Sequence, residues 1–190
     1  MSKSRTFIAI EAADEVHGLA LGAIKRLRPL ADNVNWVAPD NLHWTLQFLG
    51  DVGDVQLFEV CRAVAKVAAE FPCFSLTADS LDAFPSAERP RAIWLGAEEG
   101  SETLCQLQAR IEDCLSDVGF RSERRRYVPH LTLGRVSKGS HAGEAVAAQL
   151  GTTKAIGPGV MTVDEVIIFG SELERGQPTY HVLGRAPLLM

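Results

Sequence analysis

The alternation of apolar and polar residues sets the first elements of the chain. Thr6 to Glu11 alternates and is rich in β-formers, which predicts a strand. Asp14 can cap a helix running to about Leu30, with Val16, Leu19, Ala20, Ala23, Ile24 and Leu27 at helical spacing. Pro29 and then Pro39-Asp40-Asn41 mark irregular chain, after which His43 to Leu49 reads as a strand closed by Gly50-Asp51. A second helix is expected from Asp54 to about Phe71, with Val55, Phe58, Val60, Cys61, Val64 and Val67 as its apolar set. Cys73 to Leu81 and Arg91 to Gly96 form the two arms of an antiparallel pair, and a third helix spans Ser101 to Val118. A strand from His130 to Val136, a short helix near Ala142 to Leu150 and two closing strands, Met161 to Phe169 and Thr179 to Leu183, complete the reading.

Strands and helices therefore intermix without strict alternation and without the glycine-rich first turn of a doubly wound nucleotide fold. The expected class is α+β with mainly antiparallel sheets. No linker-like stretch divides the chain, so residues 1–190 are read as one domain.

Composition narrows the function classes. With 46% apolar and 23% charged residues the chain can bury a core, which argues against disorder. Its apolar runs are too short to span a bilayer, and the Met1-Ser-Lys-Ser-Arg5 start leads into a segment too short for a signal-peptide core. Cys61, Cys73, Cys105 and Cys114 form no CxxC pair and no metal-ligand cluster, a usage that suits a reducing cytoplasm. The net charge of −5 speaks against broad binding to long nucleic acid but leaves room for a local basic cleft.

The chemistry lies in a repeated tetrapeptide. His43-Trp-Thr-Leu46 and His130-Leu-Thr-Leu133 each begin a predicted strand. Side chains two apart in a strand share a face, so His43 lies beside Thr45 and His130 beside Thr132, with Leu46 and Leu133 turned to the core. A single histidine at a strand start is usually structural. Core packing gives no reason to place His and Thr on the same polar face twice. Two imidazoles in one cleft can accept and donate protons near neutral pH, and two hydroxyls can hold the non-bridging oxygens of a phosphodiester. No metal or other cofactor is expected. His17 and His141 read as solvated, and His181 as structural.

With these motifs and their flanks, the sequence resembles the two-histidine (2H) phosphoesterase superfamily, and within it the RNA 2′,3′-cyclic phosphodiesterases, also called 2′-5′ RNA ligases. The resemblance runs through Arg5-Thr-Phe-Ile-Ala-Ile10, Asn41-Leu-His-Trp-Thr-Leu-Gln-Phe-Leu-Gly50, Pro90-Arg-Ala-Ile-Trp-Leu-Gly96 and Pro129-His-Leu-Thr-Leu-Gly-Arg135. The tail Ser171-Glu-Leu and Gly176-Gln-Pro-Thr-Tyr180 also fits. The resemblance implies a bilobal, pseudo-twofold fold of two mainly antiparallel sheets around a central cleft, with helices outside. It implies hydrolysis of RNA or nucleotide 2′,3′-cyclic phosphate ends to 2′-phosphates without ATP or metal, with reversible 2′-5′ joining as a related activity. By carry-over His43 is the proton donor, His130 the proton acceptor, and Thr45 and Thr132 hold the phosphate. A monomer without obligate protein or membrane partner is expected. Trp44, bulkier than the aliphatic residue common there, should face away from the cleft.

Arg135 is a further candidate for phosphate or nucleotide contact. Strict alternation from His130 puts it on the wrong face, so a bulge or strand end after Gly134 is needed, and the alternative is a solvated strand-end arginine. Phe48 has the same parity and is expected in the core. The basic run Arg121 to Arg126 is either a solvated face or an RNA contact. Two other functions compete: a module that binds RNA ends without turning them over, and a phosphodiesterase for 2′-5′ oligonucleotides or small cyclic phosphates. The intact histidines and threonines speak against the first.

Overall fold

The computed structural model describes residues 3–31, 33–122, 126–150, 157–174 and 177–190. In order along the chain they form β1 (Lys3–Glu11), α1 (Asp14–Leu27), β2 (Val34–Trp36), β3 (His43–Gly53), α2 (Asp54–Ala69), β4 (Phe74–Phe84), β5 (Ala92–Ala97), α3 (Ser101–Asp117), β6 (His130–Val136), α4 (Glu144–Ala147), β7 (Gly159–Val163), β8 (Glu165–Glu174) and β9 (Gln177–Pro187). Short 3₁₀ turns at Arg28–Leu30 and Pro39–Asn41 contain the two prolines expected to break regular structure.

The strands run β7-β4-β5-β6-β3-β1-β8-β9, with β2 added beside β6, and their ladders are antiparallel. Half of the order, β3-β1-β8-β9, carries His43; the other half carries His130. The two expected sheets are thus joined. Their seam is the contact between the two motif strands, where Trp44 pairs with Leu131. Each of these residues directly follows a motif histidine, so the seam itself brings the two histidines to diagonal positions across one strand pair.

Helices pack on the convex side and complete the core. Val16, Ala20, Ala23, Ile24 and Leu27 form the buried stripe of α1, at the spacing read from sequence. This helix follows β1 in the chain but lies against β7 of the other half. Gly159 comes so close to it that an added Cβ would stand 3.1 Å from the Glu15 carbonyl oxygen, and the Val160 amide donates to the Glu15 carboxylate at 3.1 Å. One large apolar cluster draws on both halves of the sheet and on α1, α2 and α3.

Several expectations required correction. Asp14 is the first residue of α1 and makes no capping bond; Ala13 holds the N-cap position. The α2 stripe consists of Val60, Ala63, Val64, Val67 and Ala68, whereas Val55 and Phe58 are exposed. At ~100° per residue, positions 55 and 58 lie on the far side of the helix from that stripe. β3 continues past Gly50, whose φ of +73° lets the strand turn without ending, as far as Gly53. The stretch expected as one strand, Met161 to Phe169, divides at Asp164: β7 pairs with β4 in one half and β8 with β1 in the other.

Candidate active site

Both motif strands show the same sequence of side-chain burial over their first six residues: His half-buried, the next residue buried, Thr half-buried, two buried, then one exposed. His43 and Thr45 therefore face the concave side together, as do His130 and Thr132. Trp44, Leu46, Leu131 and Leu133 are buried in the core. Counting outward from the Trp44–Leu131 pair, His43 falls opposite Thr132 and Thr45 opposite His130. The two histidines are then diagonal neighbours, a relation that spans about 7–8 Å between strands.

Two consecutive buried residues break the alternation, and the ladders show why. In β3 the partners of Ile8 and Ala9 are Gln47 and Thr45, so Leu46 is an extra residue. In β6 the partners of Ile93 and Trp94 are Gly134 and Thr132, so Leu133 is extra. Each motif thus ends in a bulge at its leucine, and a bulge re-aims every later side chain. The slip needed to bring Arg135 to the concave face is present, one residue before the expected place. It also overturns the expectation for Phe48, which is 58% exposed and lies at the position equivalent to Arg135.

Each imidazole is fixed by main chain. His43 Nδ1 lies 2.7 Å from the Asn41 carbonyl oxygen, and His130 Nδ1 lies 2.7 Å from that of Val128. A carbonyl can only accept, so Nδ1 carries the hydrogen in both rings and Nε2 is the nitrogen that exchanges protons. The residues that approach each histidine in sequence, Pro39 to Leu42 and Val128-Pro129, are what place these carbonyls.

Aromatic rings wall the two imidazoles, and sequence reading had not singled them out. Phe7 lies 4.9 Å from the His43 ring centroid and Tyr180 5.5 Å, the latter edge-on. Phe7, Ala9, Ile167 and Phe169 make a separate apolar cluster on the concave face, with Tyr180 against it. Around His130 stand Phe84, at 5.1 Å, and Trp94, at 6.2 Å. Cross-strand parity carries the signal: Phe7 and Ala9 lie on β1 at the parity of Thr45.

Burial lowers the pKa of His43 from 6.5 to about 4; the Asn41 carbonyl opposes this, while the positive fields of Arg135 and His130 add to it. Arg135 thus acts electrically on the site that alternation alone denied it. It also lines a cavity of about 340 Å³ with Trp36, Asn41, Pro178 and Tyr180. The unfolded chain, with His43 near 6.5, takes up a proton that the folded chain refuses until about pH 4. Stability from this residue is therefore complete above pH 6.5 and is lost as pH falls to 4, by on the order of 3 kcal/mol at most. Urea denaturation of the wild type and of His43→Gln at pH 7 and pH 4.5 checks this. The wild type should lose more stability between the two than the variant, and equal losses would refute the burial of a neutral His43.

Among the described residues no group of three or more His, Cys, Asp or Glu side chains could hold a metal ion, and no helix is long and apolar enough to cross a membrane. All four cysteines are free thiols. His17 Nε2 lies 3.3 Å from the Pro39 carbonyl oxygen, His141 is exposed, and His181 lies 3.7 Å from Glu172. Of the basic run Arg121 to Arg126, residues 123–125 lie outside the described residues, as does Gly176 of the tail motif.

A family model described as the 2′-5′ RNA ligase superfamily matches residues 16–173. An RNA 2′,3′-cyclic phosphodiesterase of Methanothermobacter thermautotrophicus is 34% identical over 178 residues, covering 94% of this chain and 95% of the relative. One of the same name from Thermotoga maritima is 33% identical, covering 94% and 92%. Among solved structures, E. coli LigT complexed with 3′-AMP superposes with a TM-score of 0.78 at 26% identity, covering all of both chains.

Proposed function

Because the chain belongs to the 2′-5′ RNA ligase superfamily, we propose that it is an RNA 2′,3′-cyclic phosphodiesterase that opens cyclic ends to 2′-phosphates by two-histidine acid–base catalysis. One observation carries this reading. Two imidazoles, each fixed through Nδ1 to a carbonyl two residues earlier, share one concave face with two threonines.

In the proposed reaction His130 Nε2 takes a proton from water as its oxygen attacks phosphorus. The bond from phosphorus to the 3′ oxygen breaks, and protonated His43 gives its Nε2 proton to that oxygen. The products are a 2′-phosphate and a 3′-hydroxyl; solvent exchange then restores both rings. Thr45 and Thr132 donate hydrogen bonds to the non-bridging oxygens, and Arg135 adds positive charge. A 5′-hydroxyl in place of the water would run a 2′-5′ joining reaction through the same groups.

The depressed pKa of His43 bears on this division of labour. With the cleft empty, His43 is neutral at pH 7. A donor role therefore requires the anionic phosphate, set between His43 and the Arg135 guanidinium, to raise its proton affinity. Seated there, the phosphate supplies a negative charge beside the buried ring and offsets the field of Arg135, while neutral His130 stays free to take a proton.

The proposed enzyme acts as a cytoplasmic monomer with no cofactor. The test is incubation with EDTA and a nucleoside 2′,3′-cyclic phosphate, followed by product identification. Exclusive formation of the 2′-phosphate is expected; no turnover of mono- or oligonucleotide cyclic ends would sink the proposal.

A further inference from the structure

A second cavity opens beside the histidine cleft, in the half of the sheet that carries His43. It has a volume of about 480 Å³, within the range of small-molecule sites, and its walls include Arg5, Phe7, Phe48, Ser171, Leu173 and Tyr180. Tyr180 and Pro178 also line the Arg135 cavity, so one wall divides the two spaces.

The contents of this cavity are unusual for a soluble surface. Phe48 is 58% exposed and Leu173 75% exposed. The bulge at Leu46 turns the Phe48 ring out of the core, where alternation would have buried it. Its centroid lies 5.9 Å from that of Phe7, and Phe7 lies 4.9 Å from His43, so the rings step outward from the site of reaction. Arg5, at the same end, is exposed. In the other half the equivalent of Phe48 is Arg135. The pseudo-twofold is therefore broken at this position, with a ring on one side and a guanidinium on the other.

We propose that this cavity seats the nucleoside preceding the cyclic end of an RNA chain, its base stacked on Phe48 and its phosphate facing Arg5. The proposal rests on the reading above that the cleft takes a cyclic phosphate end. A mononucleotide needs one cavity beside the histidines, and the field of Arg135 already falls on His43 there. The Phe48 cavity adds a flat ring and a separate cation, which is what the next base and its phosphate require. The ring reads no base identity, because every base has a π-face. The broken symmetry also gives the bound strand a direction: the penultimate nucleoside toward Phe48, the reacting phosphate toward Arg135.

The test measures binding of two reaction products, a ribodinucleotide bearing a terminal 2′-phosphate and a ribonucleoside 2′-monophosphate, by isothermal titration calorimetry. The wild type should bind the dinucleotide more tightly, by about 5- to 150-fold for one base–aromatic stack. Phe48→Ala should remove that advantage and Phe48→Trp should keep it. Phe48 is mostly exposed, so either change should leave the fold intact, and urea denaturation checks it. Equal affinity of the wild type for both products overturns the proposal, as does an advantage that survives in Phe48→Ala. Turnover is scored separately. If the dinucleotide advantage stands but neither cyclic substrate is hydrolysed, the catalytic reading fails while the nucleoside seat remains.

Discussion

His43→Ala and His130→Ala are each expected to lower kcat/KM for a nucleoside 2′,3′-cyclic phosphate by at least about 100-fold. General acid–base catalysis by one positioned group contributes roughly 10²- to 10⁴-fold. Each ring has its Nδ1 hydrogen committed to a carbonyl, so each has one nitrogen, Nε2, through which that contribution must pass. Removing both should cost far less than the product of the single losses, because the two protons move in one reaction and either gap already breaks it. Steady-state rates for the two single variants and the double variant, with unfolding curves as a control, provide the measurement. Near-normal activity in either single variant would show that the site has been misassigned.

The second large effect is on stability. Trp44→Ala should destabilise the protein by about 3–5 kcal/mol, the usual cost of truncating a buried large aromatic side chain. Trp44 has no exposed surface, and it forms the one backbone pair between β3 and β6. Its indole nitrogen is buried without a hydrogen-bond partner. Trp44→Phe should therefore cost less than its lost volume suggests, since the burial of an unpaired N–H, worth roughly 1–3 kcal/mol, disappears with it. Urea denaturation of both variants at pH 7 ranks them. A Trp44→Ala loss below about 1 kcal/mol would mean that the seam does not bear on stability as described.

Much of this arrangement was legible in the sequence. Strand β6 begins and ends at the residues where alternation placed it, and the buried stripe of α1 keeps the helical spacing read from Val16 to Leu27. The repeated tetrapeptide announced two equivalent strands, and strand parity separated cleft-facing His and Thr from core-facing Leu. What parity could not see was the bulge at each leucine, because the residues it turns inward, the polar Gln47 and the side-chain-less Gly134, fit the outward positions that alternation assigned them. Phe48 was placed in the core for that reason, and Arg135 needed a slip to reach the site. β2 is three residues long, too short to display any period. The division at Asp164 was hidden because the apolar residues on either side belong to strands of different halves, each with its own buried face. The aromatic walls come from strands far apart in sequence, which no local pattern brings together.

The anchoring of the two imidazoles has a consequence for how such a site withstands evolutionary drift. Asn41 and Val128 hold the rings through peptide oxygens, which every amino acid supplies alike. A point substitution at either residue changes a side chain and leaves the acceptor in place. The orientation is lost only when the path of the chain changes, as an insertion between Pro39 and His43 or between Val128 and His130 would change it. Tolerance should therefore be uneven across these approaches: wide for the identity of the residue before each turn into the strand, narrow for the number of residues between.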